Sequence, residues 1–261
     1  FATNDKLTLE ECHLEGIKQQ VQCGKLKVPE NYAKPDGTEI AVNFAVIPAI
    51  DKTQNKEPLM FLAGGPGQAA VELAAMIRKN FTEIRKTRDI ILVDQRGTGK
   101  SHPLQCDNGL EMDPYILTPD AFDTAEIKEC LDALKGDLSQ YNSENAIRDF
   151  DAVRAALGHE KINLYGGSYG TRAGLVYMRL FPESLRSVVL DSVGPIEVPI
   201  GTFGQSAARS FGKLIENCQA EDACQTAFPN LRKEFDTIVS RLEQSPIEVT
   251  IAHPRLGTPT K

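Results

Sequence analysis

The chain has 261 residues, 41% hydrophobic and 25% charged, with a formal net charge of −7. That apolar content suffices for the core of one large α/β domain or two small ones, and it excludes disorder as the default state. Scattered Lys and Arg in an acidic chain argue against a nucleic-acid partner, which needs concentrated cations to displace counterions, and no apolar run approaches the roughly 18 residues of a membrane span.

The chain opens at Phe1, without Met or a charged-then-apolar leader, which predicts a trimmed or mature form. Apolar runs predict strands at 22–29, 39–48, 59–63, 89–94, 162–165 and 187–191. The first two flank the turn-rich "ENYAKPDGT" and predict an antiparallel hairpin at a sheet edge. Helical spacing appears at 69–81, 143–158 and 171–181, with Ser143 expected as an N-cap and Gly158 as a stop. Nearly continuous apolar strands alternating with helices predict a mostly parallel sheet covered on both faces. From Pro195 the pattern turns helical, with Phe203, Ala207, Phe211, Leu214, Ile215 and Cys218 on one spacing and Leu231, Phe235, Ile238, Val239 and Leu242 on another. The expected division is a core at 1–194 and a helical cap region at 195–261.

Six cysteines form three local couples, Cys12 with Cys23, Cys106 with Cys130, and Cys218 with Cys224, although other pairings are open. The even count and short separations predict disulfides and an oxidising compartment, hence a periplasmic or secreted protein. The Cys106–Cys130 step would stabilise by roughly 3 kcal/mol on a loop-entropy account.

"VDQRGTGKS" at 93–101 has the tail of a phosphate-binding loop, but the position that should hold the first glycine is Asp94, and no amphipathic helix follows. "INLYGGSYGTRAGLVYM" instead sets Gly166, Ser168 and Gly170 as G-x-S-x-G between a strand and a helix. A serine on such a sharp, strained turn needs neighbours without bulky side chains two residues away on each side, and the following helix aims free N–H groups at a developing oxyanion. Ser168 is therefore the expected nucleophile. After the strand at 59–63, Gly64-Gly65-Pro66-Gly67 can bring backbone close to substrate. Pro66 lacks an N–H, so the expected oxyanion donors are the amides of Gly65 and Tyr169. With neither H-E-x-x-H nor paired Cys/His spacing, the expected metal and cofactor complement is none.

The set "GGPGQ", "VDQRGTGKS", "YGGSYGTR" and "FPESLRSVVLDSVGP" resembles the proline iminopeptidase and tripeptidyl aminopeptidase branch of the α/β-hydrolase family, over roughly residues 10–250. The resemblance implies a cofactor-free serine peptidase acting near a free N-terminus, on a peptide or small acyl substrate. It makes "DQRGTG" a turn bordering the active site. Ala63 departs from the histidine often found before the two glycines.

The resemblance also implies a triad acid after a seventh core strand and a histidine after an eighth, whereas six strands are read here. Ser168, Asp191 and His253 have the required order, but the favoured expectation is a chain that ends within or just beyond the cap. The last two core strands would then be absent, with Asp and His supplied by a C-terminal fragment and little activity without it. His13, His102 and His159 are expected at turns or on the surface. Glu197, Glu216, Glu221 and Asp222 lie where the family holds a substrate amine, and are expected as solvated charges. The rival functions are an esterase or lipase and a non-catalytic binding module.

Overall fold

The computed structural model describes residues 7–54, 56–105, 124–199, 203–252 and 259–260. Two compact units divide at Ile196 and Glu197.

The first unit is built on a seven-stranded sheet. Its strands are β1 (Leu7–Cys12), β2 (Val21–Pro29), β3 (Glu39–Ile47), β4 (Leu59–Leu62), β5 (Ile90–Val93), β6 (Ile162–Gly167) and β7 (Leu185–Asp191), in the order β1-β2-β3-β5-β4-β6-β7. From β1 to β5 neighbours pair antiparallel; β5, β4, β6 and β7 run parallel. Helices α1 (Ala74–Asn80), α2 (Thr82–Arg85), α3 (Thr124–Ala133), α4 (Ser143–Ala156) and α5 (Tyr169–Leu180) complete the described part of this unit. The sheet is an α/β-hydrolase arrangement, as expected from the alternation of strands and helices.

Every residue of β4 ("LMFL") and β5 ("IILV") is buried. A strand covered on both faces has no solvent side to carry polar residues, which is why these segments lack alternation. Two clusters flank them. Met60, Leu62, Ile91 and Val93 pack with Ile147, Phe150 and Val153 of α4 and Tyr177 of α5. On the other face Phe61, Ile90 and Leu92 pack with Ala74 and Ile77 of α1.

Three expectations are corrected. The hairpin β2–β3 is not the edge, because β1 pairs outside β2; its Leu7 and Leu9 are only partly covered, so "LTLEEC" carries little apolar signal. The cap of α4 is Asn142, whose side chain accepts from the Asn145 amide, while Ser143 is the first helical residue. The helical stretch 69–81 divides into a 3-10 turn at Val71–Leu73 and α1, with α2 beyond it.

Cys12–Cys23 and Cys218–Cys224 are disulfides. Cys130 is also disulfide-bonded; its expected partner Cys106 lies outside the described residues. The second unit contains α6 (Phe203–Ala220), α7 (Asp222–Ala227), α8 (Leu231–Gln244) and a short antiparallel pair, β8 (Ile251–Ala252) with β9 (Pro259–Thr260). Phe211 of α6 and Phe235 of α8 meet with ring centroids 4.5 Å apart, which draws the two helical apolar faces together. Among the described residues, no helix is long and apolar enough to cross a membrane.

Candidate active site

Strand β4 lies between β5 and β6, so the chain leaves β4 toward one side of the sheet and arrives at β6 on the other. In an open parallel sheet the crevice outside the carboxyl ends of strands at such a reversal is where ligands bind. The glycine-rich loop follows β4 and the turn at Ser168 follows β6, so both leave the sheet at this reversal.

Ser168 has φ 54 and ψ −120, a strained conformation for a residue with a side chain. The surrounding glycines explain how the turn survives. A methyl group on Gly166 would lie 2.2 Å from the Gly170 carbonyl oxygen, and one on Gly170 would lie 2.2 Å from that of Leu62. The start of α5 therefore sits directly on the ends of β6 and β4. Main-chain bonds hold the turn: the Ser168 N–H donates to the Asp191 carbonyl at 3.1 Å. Thr171 Oγ1 donates to the Ser168 carbonyl at 2.7 Å and accepts from the Gly194 N–H at 2.9 Å.

Ser168 is exposed, and its hydroxyl forms no hydrogen bond with a described residue. A methyl on Gly64 would come within 3.5 Å of Ser168 Cβ, so the two loops abut. Gly65 adopts φ +109, which only glycine tolerates easily. Neither the Gly65 nor the Tyr169 N–H donates to an acceptor among the described residues. Main-chain N–H groups without an acceptor are the kind of donor that can receive negative charge developing on a substrate oxygen. Tyr169 is tied back by its phenol, which shares a 2.7 Å hydrogen bond with the Ser143 hydroxyl.

The stretch 93–101 forms a closed turn. Its amides are spent internally: Gly97 N–H on the Ser101 carbonyl, Thr98 on Gln95, Ser101 on Thr98, and Lys100 on the Asp94 carboxylate. Those amides are not available to cradle a phosphate, consistent with the reading of "VDQRGTGKS" as a turn.

Asp191 ends β7 with its carboxylate accepting from Tyr165 and Ser192. Those bonds hold its carboxyl below the ordinary aspartate value. His253 lies outside the described residues. His13 and His102 are exposed, and His159 is half-buried just beyond α4. Glu216 is paired with Lys213 at 2.6 Å, and Glu197, Glu221 and Asp222 are exposed. Among the described residues, no cluster of three or more His, Cys, Asp or Glu could hold a metal ion. The motif reading did not anticipate the Asp191 carbonyl, Thr171 or Ser143; "GGSYGT" contains Thr171, but only the packed structure relates the other two to Ser168.

A family model described as the alpha/beta hydrolase fold matches residues 57–257. The serine protease Hip1 of Mycobacterium tuberculosis is 32% identical over 224 residues, covering 79% of this chain and 42% of that protein. The tripeptidyl aminopeptidase of Streptomyces lividans is 32% identical over 209 residues, covering 70% and 37%. The proline iminopeptidase of Aeromonas sobria is 30% identical over 176 residues, covering 65% and 36%. The chain thus spans less than half the length of these relatives. With the strand order, the turn after β6 and the family match in agreement, the chain belongs to the α/β-hydrolase fold family.

Proposed function

We propose that this chain carries the nucleophile and oxyanion hole of a serine hydrolase that cleaves peptide bonds near a free N-terminus. Ser168 Oγ attacks the scissile carbonyl carbon and the Gly65 and Tyr169 amides receive the oxyanion. The Ser168 proton passes to the base during attack and then to the departing amine as the tetrahedral intermediate collapses to an acyl-enzyme, which water hydrolyses, releasing the acid and restoring the serine hydroxyl. The observation that carries this reading is the exposed Ser168 at φ 54, abutting a glycine-rich loop at the strand-order reversal. Similarity to proteins named as aminopeptidases and a serine protease supports the substrate class.

The base and its acid come from outside the described residues, consistent with the free Ser168 hydroxyl. A C-terminal segment supplying Asp and His is the proposed source, with residues 195–261 as the start of a cap. The disulfides support a periplasmic or secreted location, since such bonds persist in oxidising compartments.

A fluorophosphonate probe tests the reading. Rapid labelling mapped to Ser168 in the complete gene product, with slow labelling of the 261-residue chain, is expected. Labelling at another serine, or none, refutes it. Comparing aminoacyl-arylamides with simple acyl esters separates peptidase from esterase, and turnover of neither favours the binding module.

A further inference from the structure

Asp94 and Arg96 stand two residues apart on the turn after β5, both almost wholly buried, and their side chains leave that turn in different directions. Asp94 Oδ1 accepts from the Val71 N–H at 2.9 Å, and Oδ2 accepts from Asn43 Nδ2 at 2.8 Å and from the Lys100 N–H at 3.3 Å. Val71 opens the 3-10 turn that follows the glycine-rich loop. The carboxylate therefore grips the far end of the segment whose near end abuts Ser168. Gly99 shows how tight this grip is: a methyl there would lie 2.5 Å from Asp94 Oδ2 and 2.7 Å from Ala69 Cβ.

Arg96 reaches the other loop through α4. Its Nε and Nη2 bond both oxygens of Asp149 at 2.7 Å. Six residues earlier on α4, nearly two turns toward its start, the Ser143 hydroxyl shares its bond with the Tyr169 phenol. Tyr169 begins α5 immediately after Ser168.

We propose that the turn at 94–101 is a bracket with Asp94 and Arg96 as its anchors, setting the spacing between the Gly65 amide and the Tyr169 amide. Both are positioning residues, and their proposed effect on catalysis rests on the reading of Ser168 as nucleophile. Asp94 acts by offering an acceptor to Val71; Arg96 acts by holding α4 and, through Ser143, the first residue after the nucleophile. An oxyanion hole depends on donors held to within a fraction of an ångström, so slackening either arm lowers the rate of attack more than it weakens substrate binding.

Amide hydrogen exchange on the 261-residue chain tests the Asp94 arm without requiring turnover. The Val71 amide is expected to be protected in the native chain. Asp94→Ala is expected to speed exchange over 64–72 by about tenfold or more while β4 and β6 keep their protection, and Asp94→Asn, whose Oδ1 can still accept from Val71, to restore most of it. An unprotected Val71 in the native chain, or equal exchange over 64–72 in the native chain and Asp94→Ala, overturns the bracket.

The Tyr169 arm is tested by Ser143→Ala, a mild change that should fold. In the complete gene product it is expected to slow phosphonate labelling of Ser168 by about three- to tenfold at an unchanged melting temperature; an unchanged rate overturns this arm. If Ser168 is not labelled even without mutation, the nucleophile reading fails, whereas the exchange results still decide whether Asp94 anchors the loop.

Discussion

Arg96 and Asp149 meet through two parallel 2.7 Å hydrogen bonds with neither side chain exposed to solvent. The remaining guanidinium protons reach the carbonyls of Pro29, Glu30 and Gln140, and the Tyr32 phenol donates to Asp149. A buried charge is tolerated only when paired and hydrogen-bonded, and here every donor has an acceptor. Arg96→Met would leave the carboxylate buried without its cation and is expected to cost about 3–5 kcal/mol in urea unfolding, with Arg96→Met/Asp149→Leu recovering much of it. A loss below about 1 kcal/mol for the single change would contradict this account of the pair.

The contact of α5 with β4 is backbone on backbone. A methyl group on Gly170 would sit 2.2 Å from the Leu62 carbonyl oxygen, whereas one on Gly158 meets nothing within 4 Å. Both substitutions to Ala should destabilise, but for different reasons. Gly170→Ala forces the helix off the strand and is expected to cost roughly 2–4 kcal/mol. Gly158→Ala strains only a positive φ and is expected to cost about 1 kcal/mol. Denaturant midpoints of the two variants measure the difference directly, and equal losses would show that the close approach is not what requires glycine at 170.

Strain at Ser168 predicts opposite effects on stability and activity. Ser168→Gly relaxes the φ 54 conformation and is expected to change stability favourably by about 1 kcal/mol. The same change removes the hydroxyl, so in the complete gene product kcat should fall by about a millionfold. A stable variant that still turns over peptide at a comparable rate would exclude Ser168 as the nucleophile.

Burial holds the His159 imidazole below its ordinary pKa of 6.5, with Arg154 adding to the shift and Asp89 opposing it. The unfolded chain therefore binds this proton more readily than the folded one, so stability falls as pH drops below about 6.5. Replacing His159 by Gln should flatten the stability profile on the acid side of about pH 6.5. An unchanged slope in pH-dependent unfolding would assign that dependence to other groups.

Cys12–Cys23 joins β1 to β2, and β1 has little buried apolar surface of its own. Reducing this bond, or replacing both cysteines by serine, should cost roughly 3 kcal/mol and release β1 first. Exchange of amides in 7–12 before those of β3 would register that order; simultaneous loss of all three strands would show that β1 is integral to the core.

Much of the first unit is legible without coordinates because its signals are local. The buried strands β4 and β5 read as unbroken apolar runs, α4 shows its Ala146, Ile147, Phe150 and Val153 face, and glycine spacing around Ser168 reports a turn that side chains would obstruct. The edge strand β1 is hidden because an exposed strand has few apolar residues and draws order from its neighbour and a disulfide. Asn142 is the cap in place of Ser143: both side chains can accept an amide bond, but it is Asn142 that has the extended backbone and accepts from the Asn145 amide, while the Ser143 hydroxyl is engaged with Tyr169.

The amino-acid order alone determined which segments could be strands or helices and which serine could occupy a strained turn, since both follow from the chemistry of near neighbours. Only the tertiary structure decided that Asp94 would grip Val71 and Arg96 would meet Asp149, 23 and 53 residues away along the chain. Such pairings depend on which strands lie side by side, and no local pattern records that.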